Sequence, residues 1–349
     1  MKKICEFIPI FIFLFIVFAP CQAKNKKNCG DSLPIIYSPH YNISILGIEN
    51  FHPFDSKKYR KVYKHLISKG ELCASRFYKP ELATEDQLLM VHSGDYLESL
   101  KKSKTVAAIT EIPILRVLPG FYLRSSVLKP MLYATGGTIL GVELALKYGW
   151  AINLSGGYHH AHADHGGGFC IYADVPIALQ AAWKERPSLK VLIVDLDAHQ
   201  GDGNSTILGK DPRVAILDIY NEDVFPHDSD AEALVKYNVP LRSRTHTEQY
   251  LKALKEWLPF AVDDHEPDLI IYNAGTDIFL LDQLGRLSVS PEGIIERDDY
   301  VFSTALQRKI PILMVLSGGY NKRSGHIIGR SILNLIESNK LNGKEYRDK

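Results

Sequence analysis

Short, predominantly apolar runs punctuate the chain at Trp150–Leu154, Val191–Val194, Val214–Leu217, Leu269–Tyr272 and Ile312–Leu316. They are rich in β-branched residues and apolar on both faces, the pattern of strands buried inside a parallel sheet. Between and after them, segments of helical period occupy 133–148, 176–185, 247–262, 291–307 and 325–337. Strand and helix alternating in this way predict an α/β fold with helices on both faces of the sheet. No repeat, low-complexity tract or Pro/Ser linker interrupts the pattern, so one domain is expected over 33–339, followed by a polar tail at 340–349.

The polar residues that follow each run carry the chemistry. The first run leads into Ser155-Gly-Gly-Tyr-His159-His160, the second into Asp195-Leu-Asp197-Ala-His199-Gln-Gly-Asp202 and the third into Asp218-Ile219. The fourth ends in Asn273-Ala-Gly-Thr-Asp277 and the fifth in Ser317-Gly-Gly-Tyr320. Open parallel sheets bind ligands outside the carboxyl ends of their strands, and here that rim collects His, Asp and Tyr from separate segments.

Asp195, Asp197 and His199 alternate, so while the strand persists they share one face. With Asp277 they offer oxygen and nitrogen donors suited to a zinc-like ion, with a coordination position left for water. The simpler alternative, that Asp-x-Asp only caps the next helix, does not account for His159, His160 and Asp277 arriving at the same rim. Amide hydrolysis at such a centre needs a base for water and an acid for the leaving amine. His159 and His160 suit those tasks, with Asp195 and Asp202 available to orient them. His162 and His165 read as ordinary loop residues. Tyr320, after two glycines, presents a phenol able to donate to a developing oxyanion. Gly166-Gly-Gly168-Phe169 offers a backbone and an apolar wall to an extended ligand.

Composition narrows the function. The chain has 349 residues, 46% hydrophobic and 23% charged, with a formal net charge of +1. That excludes a coiled coil, a collagen and a disordered chain, and leaves no global basic field to hold nucleic acid. Five Cys without paired C-x-x-C spacing exclude a disulfide-dense scaffold and a zinc ribbon. Lys2 and Lys3 precede an apolar run from Phe7 to Ala19, and Cys21-Gln22-Ala23 follows. This reads as an export signal over 1–23, cleaved before a polar linker at 24–32, or alternatively as an uncleaved membrane anchor. Cleavage removes Lys2, Lys3 and Glu6 and leaves a neutral chain. Cys29 and Cys73 then form a candidate disulfide pair, with unpaired thiols the alternative, and Cys170 a packing residue.

These motifs together resemble the metal-dependent histone deacetylase superfamily over about residues 33–338. Within it, Tyr37-Ser-Pro, His52-Pro-Phe-Asp55, Thr135-Gly-Gly-Thr138 and Leu287-Ser-Val-Ser-Pro291 are similar to the class IV branch. The resemblance implies an arginase/deacetylase fold with an eight-stranded parallel sheet. It implies one Zn²⁺ held by Asp197, His199 and Asp277, and hydrolysis of acetyl or long-chain acyl groups on lysine side chains. His160 paired with Asp202 is then the general base and acid, His159 paired with Asp195 gives electrostatic support, and Tyr320 polarises the carbonyl. Gly168, Phe169, Phe225 and Leu284 become the substrate tunnel. A structural K⁺ is implied at Asp195, Asp197, His199, Asp218 and Ile219. No acidic rim residue matching the family's stands out between Leu100 and Pro119. Small acylated amines such as acetylpolyamines are the alternative substrate.

Overall fold

The apolar runs assemble side by side. The computed structural model describes residues 32–345 except 53, 70 and 71. The leader, its cleavage site, Cys29 and the last residues of the tail lie outside the described residues. Among those described are seven strands: β1 (Ile35–Ile36), β2 (Trp150–Asn153), β3 (Val191–Asp195), β4 (Val214–Asn221), β5 (Tyr237–Leu241), β6 (Leu269–Asn273) and β7 (Ile312–Val315). They lie in the order β1-β2-β7-β6-β3-β4-β5, every pair parallel. Helices Lys129–Tyr148, Asp174–Glu185, Thr247–His265, Pro291–Gln307 and Ser324–Ser338 cover the expected helical segments. Local chemistry sets their ends. Ser290 caps Pro291–Gln307, its hydroxyl accepting the Gly293 N–H at 3.0 Å, and Gly149, at φ 79°, closes Lys129–Tyr148.

The α/β class is as expected, but the described sheet has seven strands rather than eight. Tyr78 forms only an isolated parallel bridge to Ile36 outside β1. Pro80, two residues on, has no N–H with which to extend that ladder. The two edge strands escape the apolar-run pattern for similar reasons. β1 is two residues long, and β5 contains Pro240 and is only partly buried, both typical of a sheet edge.

Cys73 is disulfide-bonded, whereas Cys170 is a free buried thiol. No helix among the described residues is long and apolar enough to cross a membrane.

The strand register brings Asp195 beside both Asp218 of β4 and Asn273 of β6, so the polar residues start from adjacent strand ends. A buried ion pair braces this edge. Arg297 and Asp298 are 0% and 1% exposed, with Arg297 Nε donating to Asp298 Oδ1 at 2.9 Å. Arg297 Nη1 also donates to the carbonyls of Gly275 at 2.6 Å and Leu196 at 3.2 Å, tying the segments after β3 and β6 together. Asp298 accepts the Tyr272 hydroxyl at 2.5 Å. Replacing Arg297 strands a buried carboxylate, so Arg297→Met is expected to cost about 3–5 kcal/mol. Urea unfolding should show a lower midpoint with an unchanged slope; an unshifted midpoint would refute the bracing.

Candidate active site and metal centre

Asp197, His199 and Asp277 converge just beyond β3 and β6, their ligand atoms within 4.8 Å of one another. They do not meet by simple strand alternation, because β3 ends at Asp195. Instead Asp195 Oδ1 accepts the Asp197 N–H at 3.2 Å and Asp197 Oδ1 the His199 N–H at 3.0 Å. These local side-chain bonds fold the segment into consecutive turns. His199 Nδ1 lies 3.0 Å from both Asp197 Oδ1 and Asp277 Oδ2. Asp197 Oδ2 accepts from the Ser317 hydroxyl and the Gly318 N–H, each at 2.8 Å, and Asp277 Oδ1 from the Ala198 N–H at 2.9 Å.

The donor set fits a divalent ion. Both carboxylates are fully buried, and burial together with the neighbouring Asp197 charge pushes Asp277 up to about 7, a repulsion that a cation relieves. Close packing keeps the ligands in place. A Cβ on Gly318 would overlap Asp277 Oδ2 and lie 2.6 Å from Asp197 Oδ2.

The adjacent histidines both face this centre. Gly156 and Gly157, at φ 80° and 82°, form the turn, and buried Asp174 accepts the N–H groups of Gly157 and Tyr158 at 2.9 and 2.8 Å. His159 Nδ1 lies 2.9 Å from Asp195 Oδ2, while Asn273 Nδ2 donates to Asp195 Oδ1 at 2.8 Å. His160 Nδ1 lies 2.5 Å from Asp202 Oδ1. Their electrostatics differ in sign. Burial works against protonation of His159, but the Asp195 and Asp197 charges overcome it and hold the imidazole up to about 10. Burial and the adjacent His159 charge outweigh Asp202 and push His160 down to about 4. The two imidazoles are thus biased in opposite directions, the arrangement that separates electrostatic from proton-transfer roles. His162 proves closer to this chemistry than an ordinary loop residue, its Nε2 lying 3.2 Å from Asp202 Oδ2. His165 stacks on His162 at the surface.

Asp218 lies on β4 beside Asp195. Its Oδ2 accepts the Gly201 N–H at 2.9 Å, but Oδ1, although buried, has no partner among the described residues. An unpaired buried carboxylate oxygen beside Asp195, Asp197, His199 and Ile219, all buried, fits a monovalent cation.

Tyr320 sits above the metal ligands, its ring 5.9 Å from that of His199. Burial and the Asp197 and Asp277 charges raise its phenol well above the ordinary value, keeping it a proton donor. Two buried side chains hold its loop. Asp282 accepts the N–H groups of Tyr320 and Asn321 at 2.8 and 3.0 Å. Lys58, 0% exposed, donates through Nζ to the carbonyls of Ser317 and Gly318 at 2.5 and 2.8 Å. The lysine lies some 260 residues upstream of the motif it supports, with no pattern in the chain to connect them.

A cavity of about 430 Å³ opens above the centre, bringing Gly168, Phe169, Phe225 and Leu284 together with His160, His199 and Tyr320. Phe169 adopts φ 67°, a left-handed backbone that costs a bulky residue energy and often marks a functional wall. Its ring lies 5.9 Å from Tyr320, and the Phe225 ring 5.0 Å from His160 at 74°. A Cβ on Gly168 would lie 2.5 Å from His160 Cδ2, so only glycine lets the backbone approach here. Glu111 also lines the mouth, within the stretch where the sequence offered no evident acidic rim residue. It follows the end of a helix, at φ 54°.

The parallel sheet with polar residues gathered at its strand ends is an α/β architecture of the arginase/deacetylase type. Residues 52–336 match the histone deacetylase domain model. Over 301 residues the chain is 47% identical to histone deacetylase 2 of Arabidopsis thaliana, covering 86% of this chain and 78% of that one. It is 30% identical over 289 residues to the acetoin utilization protein AcuC of Staphylococcus aureus, covering 77% and 73%. The crystal structure of the HDA15 HD domain superposes with a TM-score of 0.70 at 21% identity, covering 88% of each chain. The chain belongs to the histone deacetylase family of hydrolases.

Gly318→Ala places a methyl group against two ligand carboxylates, so divalent-ion affinity, measured by chelator competition, should fall by about 10–100-fold. Unchanged affinity would show that this packing does not hold the ligands.

Proposed function

We propose that the protein is a zinc-dependent hydrolase of Nε-acyl-lysine. The observation carrying this reading is the convergence of Asp197, His199 and Asp277 with the His160–Asp202 pair and Tyr320 at the floor of one cavity. Zinc held by the three ligands would supply Lewis acidity and an activated water. His160, kept neutral by burial and oriented through Nδ1 by Asp202, presents Nε2 to take the water proton and later return it to the lysine amine. His159, cationic beside Asp195, adds positive charge where the oxyanion develops, and the Tyr320 phenol donates to that oxygen. Phe169 and Phe225 flank the aliphatic stem of the lysine, while Gly168 lets its chain pass close to the backbone. Asp195 and Asp218, with the backbone around Asp197, His199 and Ile219, are proposed to hold K⁺. The unpaired Asp218 Oδ1 supports this.

The space beyond the ligands favours acetyl over longer groups. The cavities adjoining the site, behind Tyr320 and behind Phe169, hold only about 20 and 30 Å³. The mouth favours a lysine within a peptide over a free polyamine. It carries Arg286 and His227 as well as Glu111 and Asp223, and Asp223 is already paired with Arg242 at 3.0 Å. The motifs shared with the class IV branch support placement there, and the run from Phe7 to Ala19 supports export.

The test is hydrolysis of acetyl-, octanoyl- and myristoyl-lysine peptides and of acetylputrescine. Acetyl-lysine peptide should be hydrolysed most efficiently. Asp277→Ala should abolish turnover, and Tyr320→Phe should lower kcat by about 10²–10³ with KM little changed. Full activity in both variants would refute the mechanism; preference for myristoyl-lysine or acetylputrescine would overturn the substrate assignment.

Chelation should likewise abolish activity and lower the thermal midpoint, with Zn²⁺ restoring both. Activity that survives exhaustive chelation would rule out a metal-dependent reaction.

A further inference from the structure

We propose that the segment 101–129, beside the tunnel mouth, docks the protein on a bilayer carrying anionic lipids. Ile114, Val117 and Phe121 are 52%, 76% and 67% exposed. Ile114 and Val117 lie three residues apart on the 3₁₀ helix Pro113–Val117 and therefore share an edge. Phe121 lies on the next turn, Gly120–Leu123. Around them Lys101, Lys102, Lys104, Arg116, Arg124 and Lys129 are exposed, with Glu111 the segment's sole acid. Lys101 pairs with Glu98; the other five cations form no ion pair among the described residues.

The surface is anchored from beneath. Val106, Ile109, Leu115, Leu123 and Val127 are buried, and the Ser103 hydroxyl donates to the Leu118 carbonyl at 2.6 Å, joining helix Ser103–Ile109 to the turn that follows. It is also joined to the tunnel, since Phe169 donates its N–H to the Ile109 carbonyl at 3.1 Å and Glu111 lines the mouth.

Exposed apolar tips ringed by cations match the layered chemistry of a membrane interface. Apolar side chains enter the acyl boundary while Lys and Arg remain among anionic headgroups. A nucleic acid would satisfy the cations but leave Ile114 and Val117 without a partner. The net charge of the whole chain is only +1, so this basic character is local to the segment. A bilayer-docked enzyme would have its tunnel beside the membrane surface.

The apolar run near the N-terminus can itself hold the full chain on vesicles, so the test needs a position-specific signal. In the full chain, Phe121→Trp adds a fluorophore to the three native tryptophans, and quenching by brominated phosphatidylcholine in excess of that of the parent protein reports entry of this surface into the bilayer. Vesicles containing phosphatidylserine should quench it, and vesicles of phosphatidylcholine alone should not. Phe260→Trp, at a 54% exposed aromatic on another helix, should remain unquenched. Adding Lys102→Glu and Arg116→Glu to Phe121→Trp should raise the half-saturating lipid concentration about tenfold or more, as should adding Val117→Asp. The proposal is overturned by absent quenching, by equal quenching at Phe260→Trp, or by indifference to those substitutions. It is also overturned if double-stranded DNA or polyglutamate displaces the protein's segment from vesicles by binding it more tightly. None of these readouts depends on turnover, so failure here is distinguishable from failure of the deacylase reading.

Discussion

Asp195, Asp197, Asp218 and Asp277 are gathered in one rim where none is more than 1% exposed. Burying even one unpaired carboxylate costs several kcal/mol, so their mutual repulsion constrains everything around them. Neutral donors meet part of that demand. Gly318, Ala198 and Gly201 donate backbone N–H groups, and Ser317 and Asn273 donate side chains. Lys58 adds a buried cation whose own charge is disfavoured by desolvation, lowering it to about 8, although Asp277 and Asp197 oppose that shift. Arg297, one layer further back, holds the backbone of Leu196 and Gly275 rather than the carboxylates themselves. A divalent ion held by Asp197, His199 and Asp277, as proposed, would complete the balance, and the candidate metal site would then answer the same constraint that shapes the loops.

The same rim sets the two histidines apart. Their rings are 4.1 Å apart, close enough that a proton on one disfavours a proton on the other. His159 faces two carboxylates of the metal rim, whereas His160 faces Asp202 and the apolar tunnel wall. One residue's difference along the chain therefore biases the two rings in opposite directions. The glycines at 156 and 157 permit this by turning both side chains inward, where an extended strand would send them to opposite faces.

The central strands were legible because burial on both faces leaves a dense apolar run, and the helices because their period is long and regular. β1 and β5 were not, since an edge strand needs neither feature. The candidate ligands, both His–Asp pairs and the candidate tunnel residues were read from motifs as a group; in the structure His160, His199, Tyr320, Gly168, Phe169, Phe225 and Leu284 line one cavity, with the carboxylates packed behind the histidines. Local sequence could not connect Lys58 or Arg297 with the site, because each acts on backbone groups supplied by a distant segment. Glu111 illustrates a related difficulty: its position depends on a left-handed turn at the end of a helix. The convergence of Asp197 with His199 was legible in outcome but not in cause, since turns replace the strand alternation that suggested it.

The bonds from Lys58 to Ser317 and Gly318 join residues 259 and 260 positions apart. Nearly the whole described chain lies inside the loop they close. A contact of that span carries a large loop-closure cost unless the intervening chain is already ordered. The turn bearing Gly318 and Tyr320 therefore takes its support from the opposite end of the domain. The rim of carboxylates is closed by the domain as a whole, and no local segment carries it alone.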